Sequence, residues 1–272
     1  MRGDRPWWSK VDADADDIRR IPDAEIDALG ADDRRELAAI WQERANAELQ
    51  VCGGFAAVTS ALIEHGTPDT VLKILTRATR DEVRHAEISA ALAARYRGDG
   101  SDIIWPGATP FPVPALVPSD AKLRATLLAI AMCCINETLA CAILEASIER
   151  TKSPISRAAQ QSILTDEIDH ARAGWAHVSS TYVTPEMKKE ISENWLVRLL
   201  DARLGHFAAS EAPFPGEKYS THGMLTRNQR REILGTALED VVFPGWEKAG
   251  FDVSKARAWA REKLPKPAML AG

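Results

Sequence analysis

A chain of 272 residues, 45% of them hydrophobic, is long enough for one large or two small domains around a buried core. Its formal net charge of -5, with Lys and Arg scattered through the chain, excludes the basic stripe that phosphate binding needs, so nucleic acid is not an expected partner. The start, Met1-Arg2-Gly3-Asp4 followed by Trp7-Trp8 and an acidic stretch, lacks an apolar signal-peptide core, and a cytoplasmic location is the expectation.

Residues 1–31 read as an N-terminal tail pinned, at most, by its two tryptophans. Beyond them hydrophobic residues recur at three and four with almost no alternation at two, and prolines and glycines fall between the periodic segments, which predicts an all-α protein. A first helix runs from about Asp33 to His65, closed by Gly66, and Thr67-Pro68 turns the chain into a second, about Pro68 to Tyr96. Arg97 to Pro118 holds Pro106, Pro110, Pro112, Pro114 and Pro118 and cannot be helical. Its 22 residues can reach ~70 Å, against ~45 Å for a helix of about 30 residues, so this link can cross the whole length of a bundle. A third helix, about Ser119 to Thr151, and a fourth, about Pro154 to Tyr182, form the second antiparallel hairpin, completing a four-helix bundle over residues 32–182. The third contains an apolar run, Thr126 to Leu144, of membrane-spanning character, but Asn136 and Glu137 at its middle favour burial in a protein core, and no membrane association is expected. Residues 183–272 form a helical extension, with helices near Pro185 to Ser210, Thr226 to Val242 and Val253 to Leu264, separated by Pro213-Phe214-Pro215 and Pro244-Gly245-Trp246. These helices pack on the bundle or support a homodimer, and nothing in them suggests chemistry.

The two hairpins repeat each other. Ile63-Glu64 recurs as Ile148-Glu149, and Asp81-Glu82-Val83-Arg84-His85 as Asp166-Glu167-Ile168-Asp169-His170, all displaced by 85 residues. On a helix, residues three apart share a face, so Glu82 with His85 and Glu167 with His170 can each offer a carboxylate and an imidazole to one ion. Glu48 lies 34 residues before Glu82 and Glu137 lies 30 before Glu167, which places each across its hairpin at the level of the paired motif. The result is one Glu from each of two helices and Glu-x-x-His from each of the other two, a ligand set for a carboxylate-bridged pair of metal ions. Glu137 is the most telling of the six, because apolar residues flank it on both sides and a buried carboxylate needs a cation or a proton.

Asp81 and Asp166 precede the paired motifs and are expected to accept from the imidazoles across the helices, His85 to Asp166 and His170 to Asp81. Arg84 and Asp169 point elsewhere and are read as charge partners. Cys52, Cys133, Cys134 and Cys141 form no Cys-x-x-Cys pair, which excludes a zinc ribbon and a rubredoxin-type site. Cys52 and Cys141 stand four after Glu48 and Glu137, and Cys133 four before Glu137, which makes all three candidates for the lining of a pocket; simple burial as small hydrophobes is the alternative. Ser89, Gly174 and Gly53-Gly54 leave either room for a substrate or close helix packing, and Glu145 and His177 belong to outer or surface positions.

Over about residues 33 to 182 the sequence resembles the ferritin-like superfamily. The runs Ala47-Glu48 through Gly66-Thr67-Pro68, Asp81-Glu82-x-x-His85-Ala86, Asn136-Glu137-Thr138-Leu139 and Asp166-Glu167-x-x-His170-Ala171 look like a group of uncharacterised bacterial ferritin-like domain proteins. The resemblance implies a ferritin-like bundle with a long crossover between its second and third helices, bridging roles for Glu82 and Glu167, terminal roles for Glu48 and Glu137, and one histidine on each metal. It departs from aryl-amine N-oxygenases at Ile163, where these carry a third histidine, and from multicomponent monooxygenases at Cys141, where these carry a hydroxyl residue. Rubrerythrin-like peroxidases have a rubredoxin module that this chain lacks.

The expected cofactor is two Fe ions, with Mn/Fe or two Mn as alternatives, since hard carboxylates and two imidazoles suit such metals. The expected activity is that of an O2-activating oxidoreductase, an oxygenase or oxidase using O2 or peroxide, a small-molecule substrate and an external electron donor. Ferroxidase or peroxide-scavenging iron handling is the alternative, and a metal-pinned interaction protein without catalysis is the third. Fold alone does not choose among them.

Overall fold

The computed structural model describes residues 22–98, 102–107, 118–209, 216 and 218–264. Among them every regular element is helical. A single turn, α1 (Ala24–Asp27), precedes four long helices: α2 (Ala31–His65), α3 (Asp69–Arg97), α4 (Ala121–Arg150) and α5 (Pro154–Val178). Local chemistry sets their ends. Gly98 takes the left-handed conformation, with φ +67°, that closes α3. The Asp120 carboxylate accepts from Leu123 N and starts α4 two residues later than periodicity suggests. Ser153 caps α5 with Pro154 in its first turn. That helix stops at Val178 rather than Tyr182 because Ser180, through its N–H and its hydroxyl, takes the His177 carbonyl.

The four long helices pack side by side, α2 against α3 and α4, and α5 against α3 and α4. Two apolar layers fix their directions. One joins Leu37 and Trp41 of α2, Ile88 and Tyr96 of α3, Leu144 of α4 and Ile155 of α5. The other joins Val58 and Leu62 of α2, Val71 and Leu75 of α3, Ala125 and Ala129 of α4 and Ala173 of α5. Hence α3 and α4 run parallel, each antiparallel to its neighbours, and α4 begins at the opposite end of the core from where α3 finishes. Of the link between them, 102–107 are described, and the Ile104 carbonyl accepts from Gln42 Nε2 of α2 at 3.1 Å. Pro110, Pro112 and Pro114 lie outside the described residues.

The tail expected over residues 1–31 is part of the packing from Pro22 on. Buried Asp23 caps α1 and also accepts from Ser153 Oγ at 2.7 Å and Ile155 N at 3.2 Å, tying the segment to the start of α5. Trp7 and Trp8 lie outside the described residues.

α4 is unlike its neighbours. Between α-helical turns at Ala121–Ala129 and Thr138–Arg150 it opens into a π segment, Ile130–Glu137. Such segments concentrate at functional sites, because the wider turn re-aims the side chains that follow. Its strongly apolar character also has a packing cause: 67% of its most apolar window is buried, one side against α2 and α5 and the other against the C-terminal helices. Those are α6 (Pro185–Asn194), α7 (Leu196–Ala209), α8 (Arg227–Ala237), α9 (Phe243–Ala249) and α10 (Ser254–Lys263). Leu199, Leu200 and Leu204 of α7, Leu234 of α8 and Trp246 of α9 share a core with Leu127, Ile130, Ile135 and Leu139 of α4.

Two expected boundaries differ here. The helix expected over Pro185 to Ser210 is broken at Trp195, whose indole donates to Glu190 at 3.1 Å, and Ser210 lies outside the described residues. Pro244, expected to separate elements, instead lies at the start of α9, which continues from α8 through a π turn, Leu238–Val242, whose wider winding accommodates a residue with no N–H to donate.

Gly174 settles one alternative left open by the sequence. A Cβ there would stand 2.5 Å from Cys133 Cβ and 2.9 Å from Cys134 N, so the glycine lets α5 press against the π segment and leaves no room for a substrate. Gly174→Ala is expected to lower stability in denaturant unfolding by about 1–2 kcal/mol, the cost of overpacking exceeding the gain in helix propensity; an unchanged or higher midpoint would contradict that close approach.

Candidate metal centre

Midway between the two apolar layers, all four long helices contribute polar side chains to the interior. Glu82 and His85 are 0% exposed, Glu167 3%, His170 0%, Glu137 2% and Glu48 9%. Donor atoms of Glu48, Glu82, His85 and Glu167 lie within 4.8 Å of one another, and so do those of Glu82, Glu137, Glu167 and His170. The six residues thus form two groups of four that share Glu82 and Glu167.

The distances suit ions between these atoms. His85 Nδ1 is 3.4 Å from Glu82 Oε2 and 3.4 Å from Glu167 Oε1; His170 Nδ1 is 3.1 Å from Glu82 Oε1 and 3.0 Å from Glu167 Oε2. Ligands in adjacent octahedral positions, each about 2.1 Å from a small divalent ion, stand ~3 Å apart. Both Glu82 oxygens and His85 Nδ1 are buried without a hydrogen bond, an arrangement that costs free energy unless a cation takes those lone pairs. Ionised, the four glutamates carry four negative charges, which two divalent ions would neutralise. The cluster is therefore compatible with a pair of metal ions.

The outer partners complete the geometry. His85 Nε2 lies 3.2 Å from Asp166 Oδ2, and His170 Nε2 lies 3.3 Å from Asp81 Oδ2. With each Nε2–H donating to its aspartate, each Nδ1 lone pair faces the shared carboxylates. Arg84 bonds Asp166 and donates to Ser162 Oγ at 2.6 Å, while Arg77 donates to Asp81 Oδ2 at 3.1 Å and Asp169 Oδ2 at 2.6 Å. Burial works against ionised Asp166, but His85 and Arg84 outweigh it and hold the carboxyl at about 2.

Without metal, burial and mutual repulsion perturb the carboxylates and imidazoles of the cluster. Burial raises Glu48 to about 7 against the pull of Arg44, and burial with Glu167 and Glu82 raises Glu137 well above the carboxylate range. Burial opposes protonation of His85 and His170, yet the surrounding carboxylates raise both. Glu167, disfavoured as an anion by burial, is held low by the two imidazoles.

The cysteines differ in place. Cys52 is half-buried and donates to the Thr79 carbonyl at 3.3 Å, Cys133 packs against Gly174, and Cys141 is half-buried. Burial raises all three thiols, with Glu82 adding to Cys52, Cys134, Glu137 and Glu82 to Cys133, and Glu167 and Glu137 to Cys141; protonated thiols are poor ligands. Because the π segment intervenes, the spacing of four from Cys133 to Glu137 is not the α-helical one on which a common face was expected. His177 is neither superficial nor among the metal-compatible groups: it is buried, with Nδ1 2.8 Å from Thr67 Oγ1 and Nε2 3.4 Å from Thr126 Oγ1, and burial lowers it to about 4. Glu145 is exposed, Ile163 is buried in the apolar layer beside Trp41, and Ser89 is fully buried.

Three neighbours were not foreseen. Arg44 Nε donates to Glu48 Oε1 at 3.0 Å, and the Phe55 ring stands 4.9 Å from that of His170; both are one or two helical turns from Glu48, a spacing that pattern reading could have used. Arg203 of α7 lies near enough to feel Glu137, and no local signal marks it. Comparison with known proteins adds nothing to this geometry: no family model, curated protein or solved structure matches the chain.

The shifts have a definite sign. Glu48, ordinarily near 4.5, stabilises the metal-free fold below that value and loses the contribution as pH rises through about 7. The raised histidines contribute below their ordinary 6.5 and lose it progressively above, whereas Glu167, held low, contributes fully above 4.5, loses that contribution only as pH falls below it, and so does not alter the comparison at higher pH. Metal-free protein should therefore melt lower at about pH 8 than at about pH 5.5, and a divalent metal, which needs deprotonated ligands, should reverse the order. Calorimetry of both forms checks this; a metal-free melting point that climbs over the same interval would contradict it.

Proposed function

We propose that the chain is a ferritin-like di-metal protein, most simply di-iron, that activates O2 to oxidise a small organic substrate with electrons from an external donor. The observation that carries this reading is the pair of four-residue groups sharing Glu82 and Glu167. The topology supports it as well: two antiparallel hairpins joined from one end of the core to the other suit the ferritin-like connection. Two ferrous ions held there would supply electrons to O2 and so produce an oxidant.

The chain's own residues prepare the centre for that work. Glu48, Glu82, Glu137 and Glu167 would hold the ions through oxygen and compensate their charge. His85 and His170 present Nδ1, fixed in that tautomer by Asp166 and Asp81. Apolar residues of the π segment and Phe55 exclude water from the His170 side.

Anaerobic titration should end at two Fe(II) per chain, and exposure to O2 should oxidise them with a new optical band and then stop without organic substrate. Glu82→Ala combined with Glu167→Ala should remove both ions, read by elemental analysis. Continued turnover of many Fe(II) per chain would instead assign iron handling, and inertness toward both O2 and peroxide would leave the metals as a structural pin.

A further inference from the structure

The two metal positions are built unequally, and the difference lies in how the two unshared carboxylates are held. Glu137 Oε1 accepts from the neutral Asn136 amide at 3.1 Å, inside the apolar π segment. Glu48 Oε1 accepts from the Arg44 guanidinium at 3.0 Å, at the more exposed edge of the cluster. Arg44 is not loosely placed: its guanidinium carbon stands 5.4 Å over the ring of buried Trp41. Arg230 of α8 lies close enough to Arg44 for the two cations to disfavour each other, so positive charge gathers on this side. On the other side Arg203 feels Glu137, but its Nη2 meets Met132 Sδ at 3.1 Å, and the strongest influences on Glu137 are burial, Glu167 and Glu82.

Resting on the two-metal reading above, we infer that Arg44 makes the Glu48–His85 position the weaker of the two, filled second and emptied first. A divalent ion entering there must share a carboxylate with a fixed guanidinium and approach its charge. Among the described residues, an ion at Glu137 and His170 meets no such competitor in contact with its carboxylate oxygen, and it relieves an anion in apolar surroundings. Arg44 is a positioning residue in this scheme, acting on the metal through Glu48.

The test uses full-length metal-free protein titrated with Co(II), followed by its visible absorption and by competition with a chelator. Wild-type protein should take two ions in two steps, the second weaker by about tenfold or more. Glu48→Gln should abolish the second step and keep the first, and Glu137→Gln should abolish the tight step. Arg44→Gln should bring the steps within about threefold of each other by tightening the second, whereas Arg44→Lys, which keeps the charge, should preserve most of the gap. A single affinity for both ions, loss of the tight step in Glu48→Gln, or a gap that responds to Arg203→Met and not to Arg44→Gln would overturn the inference. Failure of wild-type protein to bind any Co(II) would overturn the two-metal reading itself, and this inference with it.

Discussion

Four carboxylates buried together constrain the rest of this molecule. Taking Glu48, Glu82, Glu137 and Glu167 out of water is costly, and their mutual repulsion adds to the cost. The fold bears it only because two imidazoles face the group, two aspartates orient those imidazoles, and Arg77 and Arg84 neutralise the aspartates in turn. Even so Glu48 and Glu137 are driven toward their protonated forms when no metal contributes. Burial of this kind is a poor way to make a protein stable. The arrangement is compatible with a pair of cations among these carboxylates.

The internal repeat explains the form of that charge relay and also where it must break down. Position 84 of the first hairpin corresponds to 169 of the second, and position 77 to 162. Across the interface of α3 and α5 these positions meet in exchanged pairs, Arg84 with Ser162 and Arg77 with Asp169. Two identical hairpins would have set arginine against arginine at both places. With Ser162 and Asp169 in the second hairpin the two contacts are instead a hydrogen bond and an ion pair, while Asp81, Glu82 and His85 match their counterparts unaltered.

Much of this was legible because helix spacing is a local rule. Glu-x-x-His, the displacement of 85 residues and the apolar flanks of Glu137 all follow from residues within a few turns of each other. The cross-helix partners Asp81 and Asp166 could also be named, since imidazoles that bind metal need an outer acceptor. What escaped was set by tertiary contact. His177 answers to Thr67 and Thr126 from two other helices' surroundings, the break at Trp195 coincides with a side-chain bond to Glu190, and Arg203 comes within electrostatic range of Glu137 only because α7 lies on α4. The π segment escaped for a different reason: no glycine or proline marks Ile130–Glu137, and its wider turn leaves no trace in the hydrophobic pattern.

That wider turn makes α4 sensitive to its winding in a way that its composition hides. Each residue of an α-helix advances the side chains by about 100°. Rewinding Ile130–Glu137 as ordinary α-helix with the same number of residues would swing everything on one side of it, relative to the other, by roughly that angle. Leu139 and Leu144, which now face two different cores, would then exchange surroundings with their neighbours while Ala125 and Ala129, before the segment, stayed where they are. Removing one residue as the ring closes would instead keep the two flanks facing as they do, so it is the winding of the extra residue, more than the identity of its apolar neighbours, that sets how α4 presents its two ends.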